Sequence, residues 1–351
     1  VVFVLLLDIF YILMSIWAEF NPLKSCIIGT LPKSDDIIPY TNFRGRYKNY
    51  FINIIDKSRQ ELDNLDKLLQ EFGVKTWRSS CDFAIHNGYT INTPSLAIRD
   101  THTIYGNSLF KGNVSGEYEL GLLNSCDQIL QQINFDKTYK LTTDNIFYGG
   151  DWNAFNAEEL CRPLYHPPLS LKCGNDIIIS RYFGREGNKL GNDEYITWIK
   201  SVNPSARIHF IEAESHLDSQ LFLVRPGLLI TSLQTEFPAF FKNWEKIIVE
   251  KWPKSSIHEH RHKKFHPVLA QWFDNFLQTC TEETFFSLNS LSINEETVLF
   301  TGTNVDLFDK LEKRGITCVS VDMRATTFWD TGVHCVTNEV EREGILEDYI
   351  F

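Results

Sequence analysis

A helix that runs into a glycine and then into a short apolar strand occurs at two well-separated places in this 351-residue chain. Phe51, Ile54, Ile55, Leu62, Leu65, Leu69 and Phe72 recur at helical spacings, Gly73 follows, and residues 74–77 are rich in apolar side chains. That order predicts a helix, a glycine stop and a strand. The same grammar returns where residues 305–314 reach Gly315 and the apolar run 316–321. A looser version takes residues 194–202 through Asn203 and Pro204 into 207–211. Residues 238–247 offer one more short helical pattern leading to an apolar edge. Between these lie short apolar runs at 25–29, 176–180, 221–224, 228–232 and 297–300, the kind that becomes a buried strand. Repeated strand and helix modules of this sort restrict the chain to an α/β architecture. Residues 106–172, rich in Asn, Gly and Pro and poor in periodic runs, read as a lid or an insertion.

No low-complexity linker divides the chain, so residues 14–351 are expected to form one domain. Residues 1–13 are almost wholly apolar, lack a basic leader region and are too short for a membrane span. They read as a non-native or disordered N-terminal extension, and no membrane partner is expected. Apolar residues make up 43% and charged residues 23%, which excludes disorder over most of the length. A formal net charge of -11 argues against binding nucleic acid, because phosphate-backbone binders concentrate Lys and Arg. A small molecule is the more natural partner, and both monomer and homo-oligomer stay open. The eight cysteines contain no CxxC pair and no regular framework, a pattern that favours the reducing cytoplasm. His258, His260 and His262 alternate in a basic stretch without HExxH spacing, which reads as a solvated loop rather than a metal site.

Cys335, which follows Gly332, Val333 and His334, is the first candidate for thiol chemistry. A thiol attacks only as thiolate, so it needs nearby positive charge or a general acid/base partner. The best partner is His216, in the order Ser215-His216-Leu217-Asp218. On residues alone two readings remain: a nucleophile, or a small buried hydrophobe.

Several ordered blocks resemble the glycine and inosamine-phosphate amidinotransferases. They are Trp17-Ala18-Glu19-Phe20-Asn21-Pro22-Leu23, Arg99-Asp100, Gly174-Asn175-Asp176-Ile177, His216-Leu217-Asp218 with Pro226-Gly227-Leu228, and Gly332-Val333-His334-Cys335-Val336-Thr337. The resemblance runs from Trp17 nearly to the C-terminus. It implies the pentein fold, a five-module α/β propeller with pseudo-fivefold symmetry. It also implies an amidinotransferase that moves an amidino group from arginine, or a similar guanidine donor, to an amine such as glycine through an amidino-cysteine. Cys335 would be the nucleophile and His216 the proton shuttle, with Asp218 and Asp100 binding the donor guanidinium. Asp218 would lie on a strand or strand edge, sharing a face with His216. No metal and no organic cofactor is implied.

This chain also departs from the family pattern. An ungapped reading puts His166 where the family has an aspartate that orients the catalytic histidine, and Leu169 at the second acidic position, with Glu158 and Glu159 upstream. The block after Arg99-Asp100 is replaced by residues 112–119, the Ser-Lys-Trp block by Glu283-Thr284-Phe285, and the triple glycine before the cysteine by Asp330-Thr331-Gly332. Two alternatives therefore stand beside amidinotransfer: a guanidine hydrolase of the arginine deiminase kind on the same fold, and a catalytically impaired guanidine-binding homologue.

Overall fold

The computed structural model describes residues 15–37, 45–80, 96–112, 125–141, 165–181, 186–213, 216–250, 288–329 and 331–349. The N-terminal extension, Glu158 and Glu159, Ser215, the histidines at 258–262 and Glu283 to Phe285 lie outside those residues.

Among the described residues the strands form five three-stranded sheets built to one plan. In each, a middle strand pairs antiparallel with one neighbour and parallel with the other. The middle strands are β1 (Leu23–Ile28), β4 (Ser108–Lys111), β7 (Asp176–Arg181), β10 (Leu228–Thr231) and β13 (Thr297–Thr301). Their antiparallel partners are β15 (Thr337–Arg342), β3 (His102–Tyr105), β6 (Ser170–Cys173), β9 (Leu221–Arg225) and β12 (Leu291–Asn294). The parallel partners are β2 (Lys75–Arg78), β5 (Lys137–Lys140), β8 (Arg207–Glu212), β11 (Glu245–Ile248) and β14 (Thr317–Val321). A parallel pair needs a crossover, and the chain supplies one each time. The crossovers contain α2 (Gly45–Glu71), α3 (Asp127–Leu130), α4 (Glu186–Val202), a 3-10 turn at Ala239–Phe241 and α5 (Val305–Glu312). A short helix, α1 (Ser34–Ile37), precedes α2. The pattern is the five-module propeller of the pentein fold. Because β15 pairs with β1, the last strand of the chain completes the sheet that the first begins.

The predicted helix stops are genuine caps. Gly73 has φ 78°, its N–H bonds Gln70 O at 2.9 Å, and Val74 N–H reaches back to Leu69 O at 3.0 Å. Gly315, φ 77°, repeats this with Glu312 O at 2.9 Å and Ile316 N–H to Leu311 O at 3.1 Å. Both are Schellman motifs, whose left-handed residue is most cheaply glycine. The buried stripe of α2, including Phe51, Ile54, Ile55, Leu62, Leu65 and Leu69, packs with Leu291 and Leu299 of the fifth module and with Val333 and Val336 from the turn before β15.

Two expectations change. Residues 106–172 are not simply a lid or an insertion, because they hold β4 and β5, which with β3 form a module, and most of β6. These strands are four residues each, too short to declare a period. The helical pattern at 238–247 shrinks to the turn at Ala239–Phe241, after which β11 forms.

Candidate active site

Short turns feed the antiparallel outer strand of every sheet, and the polar residues singled out above sit on them. Asp100 ends a 3-10 turn, Ile98–Asp100, before β3. His166 leads into Pro167–Leu169 before β6, and His216 into Leu217–Ser219 before β9, with Asp218 inside that turn. Asn289 precedes β12, and Cys335 lies in the turn before β15. Equivalent positions on modules arranged about a common centre converge, and the turns bearing Asp100, His166 and His216 pack on one another. Asp218 is thus held by a 3-10 turn rather than a strand, so the two-residue strand period is not what groups it with His216.

Cys335 is 6% exposed and held from both sides. Its N–H donates to Asn289 Oδ1 at 3.0 Å, its carbonyl accepts from Arg99 N–H at 3.2 Å, and Asn289 Nδ2 donates to Sγ at 3.0 Å. The same Nδ2 reaches Asp218 Oδ2 at 3.3 Å, tying carboxylate and thiol to one amide. Gly332 permits this approach, since a Cβ there would stand 2.5 Å from Asn289 Oδ1.

His334 Nδ1 lies 2.7 Å from Asp218 Oδ2, and its Nε2 meets the Arg99 guanidinium. A guanidinium only donates, so Nε2 accepts and Nδ1–H donates to Asp218, which fixes the tautomer. Arg99 also pairs with buried Glu339. Glu339 in turn lies 3.5 Å from Arg342, and Lys172 pairs with Glu19 at 3.4 Å. Burial opposes ionisation of Glu339, but Arg99, Lys172 and Arg342 outweigh it and hold the carboxyl well below its ordinary range.

Asp218 Oδ1 and Asp100 Oδ1 are buried without a hydrogen-bond partner. Burial alone would raise the Asp218 pKa, but the hydrogen bond from His334 holds it below its usual 3.8. Asp100 lacks such a donor, and burial pushes it up to about 6, opposed by His216 and reinforced by Asp218. Burial, then the charges of Asp218 and Asp100, push the Cys335 thiol well above its ordinary value, against hydrogen bonds from the Gly332 backbone and Asn289. His216 Nδ1 stands 3.9 Å from Asp100 Oδ1, and its ring centroid is 5.5 Å from that of His166.

The four residues expected from sequence therefore fall on converging turns, with Asp218 and Asp100 within electrostatic reach of Cys335 and His216 beside Asp100. Asn289, His334, Arg99 and Glu339 join them. Arg99 and His334 stand inside quoted motifs and Asn289 and Glu339 outside them, and nothing local in the sequence assigns any of the four a contact.

No family model matches the chain. Inosamine-phosphate amidinotransferase 1 of Streptomyces glaucescens is 20% identical, over 97% of this chain and 99% of its own length. Mitochondrial glycine amidinotransferase of Xenopus laevis is 19% identical, over 94% of this chain and 83% of its own length. The solved structure of SxtG, an amidinotransferase from Microseira wollei, superposes with a TM-score of 0.68 at 19% identity, covering 96% of this chain and 99% of its own. The chain shares the fold of these amidinotransferases and is similar to them in sequence over nearly its whole length. A more distant likeness, TM-score 0.59 at 12% identity over 91% of this chain and 99% of the other, is to dimethylarginine dimethylaminohydrolase from Pseudomonas aeruginosa complexed with citrulline. Against the amidinotransferase pattern, His166 does occupy the neighbourhood of His216, and the carboxylate beside that ring is Asp100. No helix among the described residues is long and apolar enough to cross a membrane.

Proposed function

We propose that residues 14–351 form one catalytic domain that transfers an amidino group from arginine, or a similar guanidine, to an amine such as glycine. The observation that carries the reading is a buried thiol facing two carboxylates, each with a buried oxygen left unpaired. A planar cationic guanidinium supplies the donors those oxygens lack, and charge-assisted hydrogen bonds would fix its plane.

The thiol's raised pKa then has a use. Asp218 and Asp100 raise it, so a guanidinium that neutralises them lowers it again, and Asn289 Nδ2–H stabilises the resulting thiolate. His216 takes the thiol proton, and Cys335 Sγ attacks the guanidinium carbon to give a tetrahedral adduct. The C–N bond to the leaving amine breaks as His216 gives that nitrogen a proton, leaving amidino-Cys335. The acceptor amine loses a proton to His216, attacks the amidino carbon and expels the thiolate. Asp100 is the carboxylate placed to orient His216, taking over the task of the acid that His166 replaces.

Loss of ammonia instead of the alkylamine from the tetrahedral adduct, followed by attack of water on the carbon still joined to Cys335, would make the same site a guanidine hydrolase that releases citrulline, a reading favoured by the fold shared with the citrulline-bound hydrolase. The described cysteines Cys26, Cys126, Cys173, Cys318 and Cys335 are all unpaired, which supports a reducing cytoplasmic setting. The test is product analysis with arginine, with and without glycine. Ornithine together with a guanidino product is expected, and citrulline would mean hydrolysis. Absence of turnover and of covalent adduct with every guanidine tried would leave a binding protein. Unimpaired turnover by Cys335→Ala would overturn the mechanism.

A further inference from the structure

Beside the thiol, the structure gathers a second set of groups that amidino transfer does not fully use. One ligand atom each from Asp100, His166 and His216 lies within 4.8 Å of the others. We propose that these three side chains bind a divalent transition-metal ion of the zinc class. Two imidazoles and one carboxylate are a donor set that suits such an ion and leaves it an open position.

The spacing fits with small movements. Ligand atoms about 2.0–2.1 Å from a tetrahedral ion sit about 3.4 Å apart, and His216 Nδ1 is already 3.9 Å from Asp100 Oδ1. Asp100 Oδ1 and His166 Nδ1 are both buried with no hydrogen-bond partner. A guanidinium accounts for the first orphan. The second is an imidazole nitrogen to which no described side chain donates, and a lone pair there is satisfied by a donor or by a metal. The side chains of Asp100 and His216 keep 21% and 33% of their surface exposed, which gives an ion a way in.

The other gathering of potential ligands is a useful contrast. Glu19, His334 and Glu339 are equally close to one another, but there the cationic role is taken by Arg99, Lys172 and Arg342. Around His166, Asp100 and His216 no Lys or Arg forms an ion pair among the described residues. An ion bound there would occupy the carboxylate and the ring assigned above to donor and proton. It would therefore inhibit turnover, a consequence that rests on the proposed function, whereas binding itself does not.

The test is titration of the full chain with Zn²⁺ by calorimetry and with Co²⁺ by absorption. One ion per chain is expected, with affinity at least about tenfold weaker in both His166→Gln and Asp100→Asn. Affinity should be unchanged in Cys335→Ser and in a chain carrying His258→Gln, His260→Gln and His262→Gln. The Co²⁺ spectrum should show d–d bands without thiolate charge transfer. Circular dichroism of each variant guards against loss through unfolding. Absence of binding, equal affinity in His166→Gln, a thiolate charge-transfer band, or loss of the ion in the triple His258, His260 and His262 variant would each overturn the proposal, whatever the turnover assay gives.

Discussion

Replacing Arg99 with methionine removes a guanidinium from a deeply buried ionic network while keeping much of its apolar stem. Arg99 is 3% exposed and Glu339 1%. Removing one member of a buried ion pair costs about 3–5 kcal/mol, because the survivor stays in low dielectric without its partner. Glu339 retains Arg342 at 3.5 Å, which pulls the expectation toward the lower end, about 3 kcal/mol. The Nε2 of His334 loses its donor as well. Glu339→Gln should cost a similar amount by leaving Arg99 and Arg342 short of negative charge. The assay is urea unfolding of Arg99→Met, Glu339→Gln and the double variant near neutral pH. The double variant should lose less than the sum of the singles by at least about 1.5 kcal/mol, since the two changes remove one shared interaction. Single losses below about 1 kcal/mol that simply add would refute the picture of a coupled buried pair.

Acid should unfold the protein through the same network. Glu339 and Asp218 are both held below their ordinary values of 4.5 and 3.8. A carboxylate with a depressed folded-state pKa contributes stability that is present above its unfolded value and lost as pH falls. Stability should therefore drop from about pH 4.5 downward, and urea midpoints across that window should fall less steeply in Glu339→Gln, where Arg99, Lys172, Arg342 and His334 face no titrating acid at that position. Asn289→Ala should slow Cys335 alkylation and turnover roughly ten- to a hundredfold, the worth of a hydrogen bond to a charged sulfur; an unchanged alkylation rate would argue against the amide as thiolate donor. Gly332→Ala puts a Cβ 2.5 Å from Asn289 Oδ1 and should cost about 1–3 kcal/mol by overpacking, read as a lower melting temperature.

What the sequence disclosed follows the range of the forces involved. The stops at Gly73 and Gly315 were legible because a Schellman cap is made within six residues of one helix. Modules two and three were harder. Their strands β4, β5 and β6 are only four residues long, and the first module's outer strand, β15, comes from the far end of the chain. Cys335 and His216 were singled out by residue type, and all of Cys335, His216, Asp218 and Asp100 by motifs resembling a known family. The residues that hold them were not, since Asn289 meets Cys335 across 46 positions, His334 meets Asp218 across 116, and Arg99 meets His334 across 235. Such contacts leave no local spacing to read. His166 shows the limit differently: as a missing acid it suggested an incomplete site, whereas in space its ring stands beside His216 and close to Asp100.

The central claim is that Cys335 carries the amidino group, and intact-mass spectrometry of the acid-quenched chain tests it most directly. With arginine alone the mass should rise by one amidino group, peptide mapping should place it on Cys335, and glycine or another acceptor amine should discharge it before the quench. A gain located on any other residue, or an equal gain in Cys335→Ser, would contradict the account.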